Sequence, residues 1–117
     1  MTETIQSIID WHKETFPDAT LDGQIVKFEE ETKEWENTSW GVYDEVEELA
    51  DLFIVACGIM RFDMLTGMEY MELVFLKLGV TNYDGRDLWA AVIKKMEKNR
   101  TRTWKKTTEG TYHHVNQ

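Results

Sequence analysis

The sequence predicts an all-α protein, most simply a bundle of four or five helices. Three observations favour this class: apolar residues recur at helical spacing, no segment shows sustained strand alternation, and the 117 residues include one proline. With 42% hydrophobic residues at this length, the chain is expected to form a single domain over residues 1–117.

The first two helices are predicted from their apolar stripes. Helix one is expected from about Glu3 to Thr15, before Pro17 and the turn residues that follow it. Helix two is expected from about Gln24 to Glu36, and Gln24 itself either caps this helix or touches a ligand. The apolar stripe of helix two consists of Ile25, Phe28, Thr32 and Trp35.

A loop over Asn37–Gly41 separates these helices from the rest of the chain. Helix three is expected to begin near Val42 and to continue past Met60. Its second half, LFIVACGIM, is apolar all round, which indicates a buried helix.

Two further helices are expected after the buried one. A shorter fourth helix starts near Gly67, and a last helix spans about Arg86 to Thr101 after a turn over Gly79–Gly85. The tail from Thr107 shows no clear period.

The net charge of −9 is unevenly distributed. Residues 1–93 hold 6 basic and 20 acidic side chains, whereas residues 94–106 hold 7 basic and 1 acidic. This asymmetry suits a metal-bound polyphosphate, because carboxylates hold hard cations and Lys and Arg hold phosphate. An acidic surface with a basic tail is the alternative. The acidic body argues against a nucleic-acid partner, since binding to a duplex relies on basic surface.

Composition also excludes several other classes. The single Cys57 rules out an intramolecular disulfide framework and a Cys-rich zinc site. No apolar run reaches the length of a membrane span, and the polar N-terminus does not resemble a signal peptide, so a cytoplasmic location is expected.

Two pairs of carboxylates are candidates for a metal site. Glu31 and Glu34 on helix two are neighbours on the helix surface, and Glu31 lies at the edge of the apolar stripe. Glu48 and Asp51 on helix three have the same spacing, and Asp51 stands where the helix enters the core. Oxygen ligands favour Mg²⁺ or Mn²⁺ over zinc. Solvated helix faces are the alternative interpretation.

These motifs resemble the MazG-like all-α nucleoside triphosphate pyrophosphohydrolases, in particular small phage and prophage members. The run KFEEETKEW at residues 27–35 resembles the family's first acidic motif, with Lys33 replacing a glycine and Trp35 a leucine. The run EELADL at residues 47–52 resembles the second motif, and KMEKNRTR at residues 95–102 resembles a Lys-Met-x-x-Asn-x-x-Arg run. The resemblance covers about residues 11 to 114.

The resemblance implies hydrolysis of an NTP or dNTP between the α- and β-phosphates, which yields a monophosphate and pyrophosphate. Glu31, Glu34, Glu48 and Asp51 would hold Mg²⁺, with Mn²⁺ as a possible substitute. Glu30 beside them would orient or deprotonate a water molecule, or else be an exposed helix glutamate.

The resemblance also suggests residues that contact substrate. Lys27 would reach a phosphate or pair with Glu31, one turn away. Lys95, Asn99 and Arg102 share one face of the last helix and would bind phosphate, sugar or base, unless they form an ordinary solvated face. Trp40 and Trp104 are candidates for stacking on a base, whereas Trp11, Trp35 and Trp89 are expected in the core.

The resemblance further implies a homodimer or homotetramer. Apolar residues of the fourth helix exceed what one layer of core needs: Met64, Met68, Met71 and Phe75. Two alternatives to an enzyme stay open, a non-enzymatic helical interaction module and a nucleotide sensor without turnover.

Overall fold

Five α-helices and one short β-hairpin make up the described fold. A computed structural model describes residues 3–37, 44–102, 104–106 and 112–114. The elements are α1 (Ile5–Thr15), α2 (Leu21–Glu36), α3 (Asp44–Phe62), α4 (Met64–Leu78), α5 (Gly85–Asn99), β1 (Trp104–Lys106) and β2 (Tyr112–His114). The all-α class is confirmed. The predicted loop, Trp40 and the predicted start of helix three at Val42 lie outside the described residues.

Helix starts follow their capping residues. The side chains of Thr4, Thr20, Asp63 and Asp84 each accept a hydrogen bond from a backbone N–H of the first turn. Thr20 accepts from the Gly23 N–H at 3.0 Å, so α2 begins three residues before the predicted Gln24. Gln24 is therefore not the cap of this helix.

Gly67 was expected to start the fourth helix, and this was wrong. The helix begins at Met64, because Asp63 Oδ1 accepts from the Thr66 N–H at 3.2 Å. Gly67 lies inside α4 against α3, where a Cβ would stand 2.6 Å from the Met60 Cα. The glycine serves the close packing of two consecutive helices.

Helix α3 is the centre of the bundle. It packs against each of the other four helices, and every residue from Leu52 to Met60 is buried, as the all-round apolar run predicts. None of the helices in the described part of the chain combines the length and hydropathy that crossing a bilayer requires.

The C-terminal region contains a hairpin that the sequence did not predict. Strands β1 and β2 pair antiparallel, with Trp104 opposite His114. Helix α5 ends at Asn99, two residues before the predicted end, and the Trp104 Nε1–H donates to the Asn99 carbonyl at 3.3 Å. Strands of three residues are too short to show alternation, so pattern alone does not reveal them.

Candidate active site

Three predicted carboxylates meet between α2 and α3. Glu31, Glu34 and Glu48 each present an oxygen atom, and these oxygens lie within 4.8 Å of one another. The spacing of three along α2 places Glu31 beside Glu34, and the packing of α3 on α2 brings Glu48 to them. Asp51 lies outside this group of three, and its Oδ2 accepts from Lys95 Nζ at 3.3 Å.

The electrostatics of the cluster disfavour full ionisation. Burial, followed by the charge of Asp51 and a hydrogen bond with Glu34, raises the pKa of Glu31 to about 8. Burial together with the charges of Asp51 and Glu34 raises the pKa of Glu48 to about 7. Burial also raises the pKa of Asp51, although Lys95 opposes this shift. Carboxylates held close together in this way are stabilised by a cation.

The donor set fits a hard divalent cation. Glu31 Oε2 and Glu48 Oε2 are buried, and neither has a hydrogen-bond partner among the described residues. Buried polar oxygens in native proteins are nearly always paired, so two such atoms within one acidic cluster indicate a missing positive partner. All the donors are carboxylate oxygens, the ligand type of Mg²⁺, Mn²⁺ and Ca²⁺.

Basic side chains border the cluster. Lys27 Nζ lies 3.3 Å from Glu31 Oε1, so Lys27 forms the ion pair that the sequence left as an alternative to phosphate contact. Lys95 pairs with Asp51 across α3 and α5. Arg102 Nη1 donates to Asn99 Oδ1 at 3.3 Å. Lys27, Lys95, Asn99 and Arg102 all line one cavity with Glu31 and Glu34.

This cavity of about 500 Å³ extends from the carboxylates to an aromatic wall. Trp11 and Phe16 lie edge to face with ring centroids 5.3 Å apart, and Phe16 and Trp104 do so at 5.1 Å. Trp104 also lines the cavity, and its contact with a base stays a prediction. Trp11, predicted as core, is buried but also lines the cavity. Glu30 lines the cavity as well, on an exposed position of α2.

Polar groups that the sequence did not single out as a set lie next to these aromatic rings. His12 and Gln24 are both buried, and both line the cavity. Arg61 Nη1 lies 3.0 Å from His12 Nδ1 and donates to the Phe16 carbonyl at 2.8 Å. Burial lowers the pKa of His12 to about 4, opposed by a hydrogen bond with Gln24 and supported by the charge of Arg61.

One signal for Arg61 was present in the sequence. It is the only basic residue between Lys33 and Lys77, and it follows directly on the buried apolar run of α3. A guanidinium at that position needs acceptors, and the end of α1 supplies them. The sequence does not predict which groups accept from Arg61, because His12 and Arg61 are 49 residues apart.

Together these features define a class of protein: a helical bundle with a carboxylate cluster, neighbouring cations and an aromatic cavity. That arrangement suits an anionic ligand which carries a divalent cation and a ring.

A comparison with curated proteins finds a similar protein from Salmonella phage PMBT28, named dATP/dGTP diphosphohydrolase. It is 27% identical over 112 residues, which are 95% of this chain and about 30% of that relative's length. The similarity supports a relationship to nucleotide diphosphohydrolases.

No protein-family model matches the chain, and no solved structure matches it significantly.

Proposed function

We propose that this protein is a Mg²⁺-dependent pyrophosphohydrolase that cleaves a nucleoside triphosphate between the α- and β-phosphates. One observation carries the proposal. Three carboxylates from two helices come within 4.8 Å of one another, and two of them line a cavity that ends in aromatic side chains. A triphosphate with its cation fits the charged end, and a base fits the aromatic end.

The charged residues have distinct roles in this proposal. Glu31, Glu34, Glu48 and Asp51 would hold Mg²⁺, or Mn²⁺ in its place, and the ion would offset phosphate charge and make a water molecule more acidic. Lys27, Lys95 and Arg102 bind phosphate oxygens, and substrate binding then competes with the ion pairs of the two lysines. Glu30, exposed at the cavity, orients or deprotonates the attacking water.

The proposed substrates are deoxynucleotides, with dATP and dGTP first. The relative's name supports this choice. The product of hydrolysis is a deoxynucleoside monophosphate together with pyrophosphate.

The proposed assembly is a homodimer or homotetramer formed through α4. Met64, Met68 and Phe75 are about half exposed, and Leu65 and Leu76 are 72% and 61% exposed. Met71, which the sequence grouped with them, is instead buried in the core. A contiguous exposed apolar face of this kind is typical of an interface, and a second copy of the chain is its proposed occupant.

The direct test measures pyrophosphate release from a panel of NTPs and dNTPs, with Mg²⁺ and with EDTA. Glu48→Gln and Asp51→Asn should abolish release, whereas Glu29→Gln, on an exposed position of α2, should leave it unchanged. Orthophosphate as the product would refute the proposed cleavage site. Nucleotide binding without release would favour the sensor, and neither binding nor release would favour the interaction module.

A further inference from the structure

Three side chains on three helices, Arg61, His12 and Gln24, form a hydrogen-bonded relay. This relay determines which ring nitrogen of His12 carries the proton. The Arg61 guanidinium has only donors, so the His12 Nδ1 at 3.0 Å from its Nη1 must accept. His12 is 3% exposed, and its lowered pKa of about 4 keeps the ring neutral near pH 7. A neutral imidazole with an accepting Nδ1 carries its proton on Nε2.

The orientation of the Gln24 amide follows from that tautomer. His12 and Gln24 share a side-chain hydrogen bond, and the donor in it is the Nε2–H. The acceptor is therefore Gln24 Oε1, because the oxygen is the acceptor of an amide. Both atoms lie near Gly58, where a Cβ would stand 2.8 Å from His12 Nε2 and 2.9 Å from Gln24 Oε1. This assignment depends on the chemistry of Arg61 rather than on the placement of the amide O and N atoms. The NH₂ group is what Gln24 can offer to a ligand in the cavity.

We propose that Gln24 is a specificity residue that donates a hydrogen bond to the base of the substrate, and that Arg61 and His12 are positioning residues that hold it as a donor. This inference rests on the proposed function, because it identifies which part of a nucleotide the aromatic end of the cavity binds. The base packs on the wall of Trp11, Phe16 and Trp104, and Gln24 lines the same cavity.

The acceptor that we assign to this donor is N7 of a purine. Adenine and guanine differ in their exocyclic groups, but both carry an N7 lone pair on the same edge, and pyrimidines have no equivalent atom. A donor fixed at the N7 position therefore serves both purines, and a pyrimidine offers it no acceptor at that place. The Asn99 amide is a weaker candidate for this role, because its Oδ1 accepts from Arg102 and its Nδ2 contacts Met96 Sδ at 3.8 Å.

The first experiment removes the acceptor and the donor separately. The probes are dGMP and 7-deaza-dGMP, in which a C–H replaces N7, and the readout is the dissociation constant of each in the presence of Mg²⁺. Wild-type protein should bind dGMP about 10-fold more tightly than the 7-deaza compound, because a buried donor is left unpaired. Gln24→Met should bind both compounds with similar affinity, while Gln6→Met, an exposed glutamine on α1, should behave as wild type.

The second experiment tests the relay. Arg61→Met frees Nδ1 to carry the proton and allows the Gln24 amide to reverse, so the preference for dGMP over 7-deaza-dGMP should fall to within about 2-fold. Because Arg61 also binds carbonyls at the end of α1, this variant needs a check of its folding. Nitrogen NMR of His12 in the wild-type protein gives an independent answer: the Nε2–H tautomer is expected, and the Nδ1–H tautomer would overturn the relay.

These outcomes separate the two proposals. Equal affinity of wild-type protein for dGMP and 7-deaza-dGMP would overturn the role of Gln24 even if pyrophosphate is released. A preference for dGMP that Gln24→Met abolishes would support the role even if no triphosphate is hydrolysed, and would then count against the proposed activity alone.

Discussion

Replacing Glu31 by glutamine should make the metal-free protein more stable at alkaline pH. The folded-state pKa of Glu31 is about 8 and its ordinary value is 4.5, so between these values the folded state holds a proton that the unfolded state has lost. The contribution of Glu31 to the free energy of unfolding therefore falls as pH rises from 4.5 to 8. At pH 7.5 the cost amounts to at most about 4 kcal/mol, at 1.36 kcal/mol per pH unit.

Glutamine does not ionise, so the variant escapes this cost. The attraction of Lys27 is already among the causes that set this pKa, so it is not subtracted again. The gain expected at pH 7.5 is therefore at most about 4 kcal/mol, or on the order of 10 °C in melting temperature for a domain of this size. At pH 5 the wild-type carboxyl is protonated in the folded state, and the gain should nearly vanish.

The assay is thermal unfolding in EDTA at pH 5 and pH 7.5, followed by the same measurement with Mg²⁺. Wild-type protein should gain stability from Mg²⁺, and Glu31→Gln should gain much less, because one ligand of the proposed site is gone. Glu29→Gln serves as the matched control, since Glu29 is exposed on the same helix. The reasoning is refuted if Glu31→Gln is destabilised equally at both pH values, or if Mg²⁺ stabilises it as strongly as wild type.

Three further predictions concern the cation partners, the buried histidine and the apolar face. Lys95→Ala should lower kcat/KM about 10- to 100-fold, because Lys95 pairs with Asp51 and borders the proposed phosphate site. Lys98 is exposed on the same helix, so Lys98→Ala is the control in the steady-state assay and should lose less activity. The pKa of His12 is lowered from 6.5 to about 4, so between these values the unfolded state gains a proton and the folded state does not. The difference in free energy of unfolding between wild type and His12→Asn should therefore narrow by about 3 kcal/mol from pH 7 to pH 4. Denaturant titrations at the two pH values measure this difference. Leu76→Glu should convert the proposed oligomer to monomer without lowering stability, since Leu76 is 61% exposed, and sedimentation gives the mass.

Each of these predictions has a clear contrary result. Equal losses for Lys95→Ala and Lys98→Ala would mean that the basic helix acts only through its overall charge. A constant stability difference across pH would show that His12 titrates normally in the folded protein. A wild-type protein that sediments as a monomer would leave the α4 face without its proposed partner.

The helical class and the acidic pairs could be predicted from the sequence, because both depend on local periodicity. A run that is apolar all round, Leu52 to Met60, predicts a buried helix whichever neighbours surround it, and it is buried throughout. Spacings of three place Glu31 beside Glu34 on any α-helix. The start of α4 was misplaced because Gly67 has two readings locally, a breaker or a packing contact, and only the neighbouring Met60 distinguishes them.

What the tertiary structure decided are the contacts between residues distant in sequence. It brought Glu48 to Glu31 and Glu34 but directed Asp51 to Lys95, and it placed Arg61 beside His12 across 49 residues. Periodicity gives the direction of a side chain around its own helix axis and carries no information on the rotation of one helix against another. The carboxylate pairs could be predicted from the sequence because each pair lies on one helix. The relay has one member on each of α1, α2 and α3, so only the packing of these three helices brings its members together.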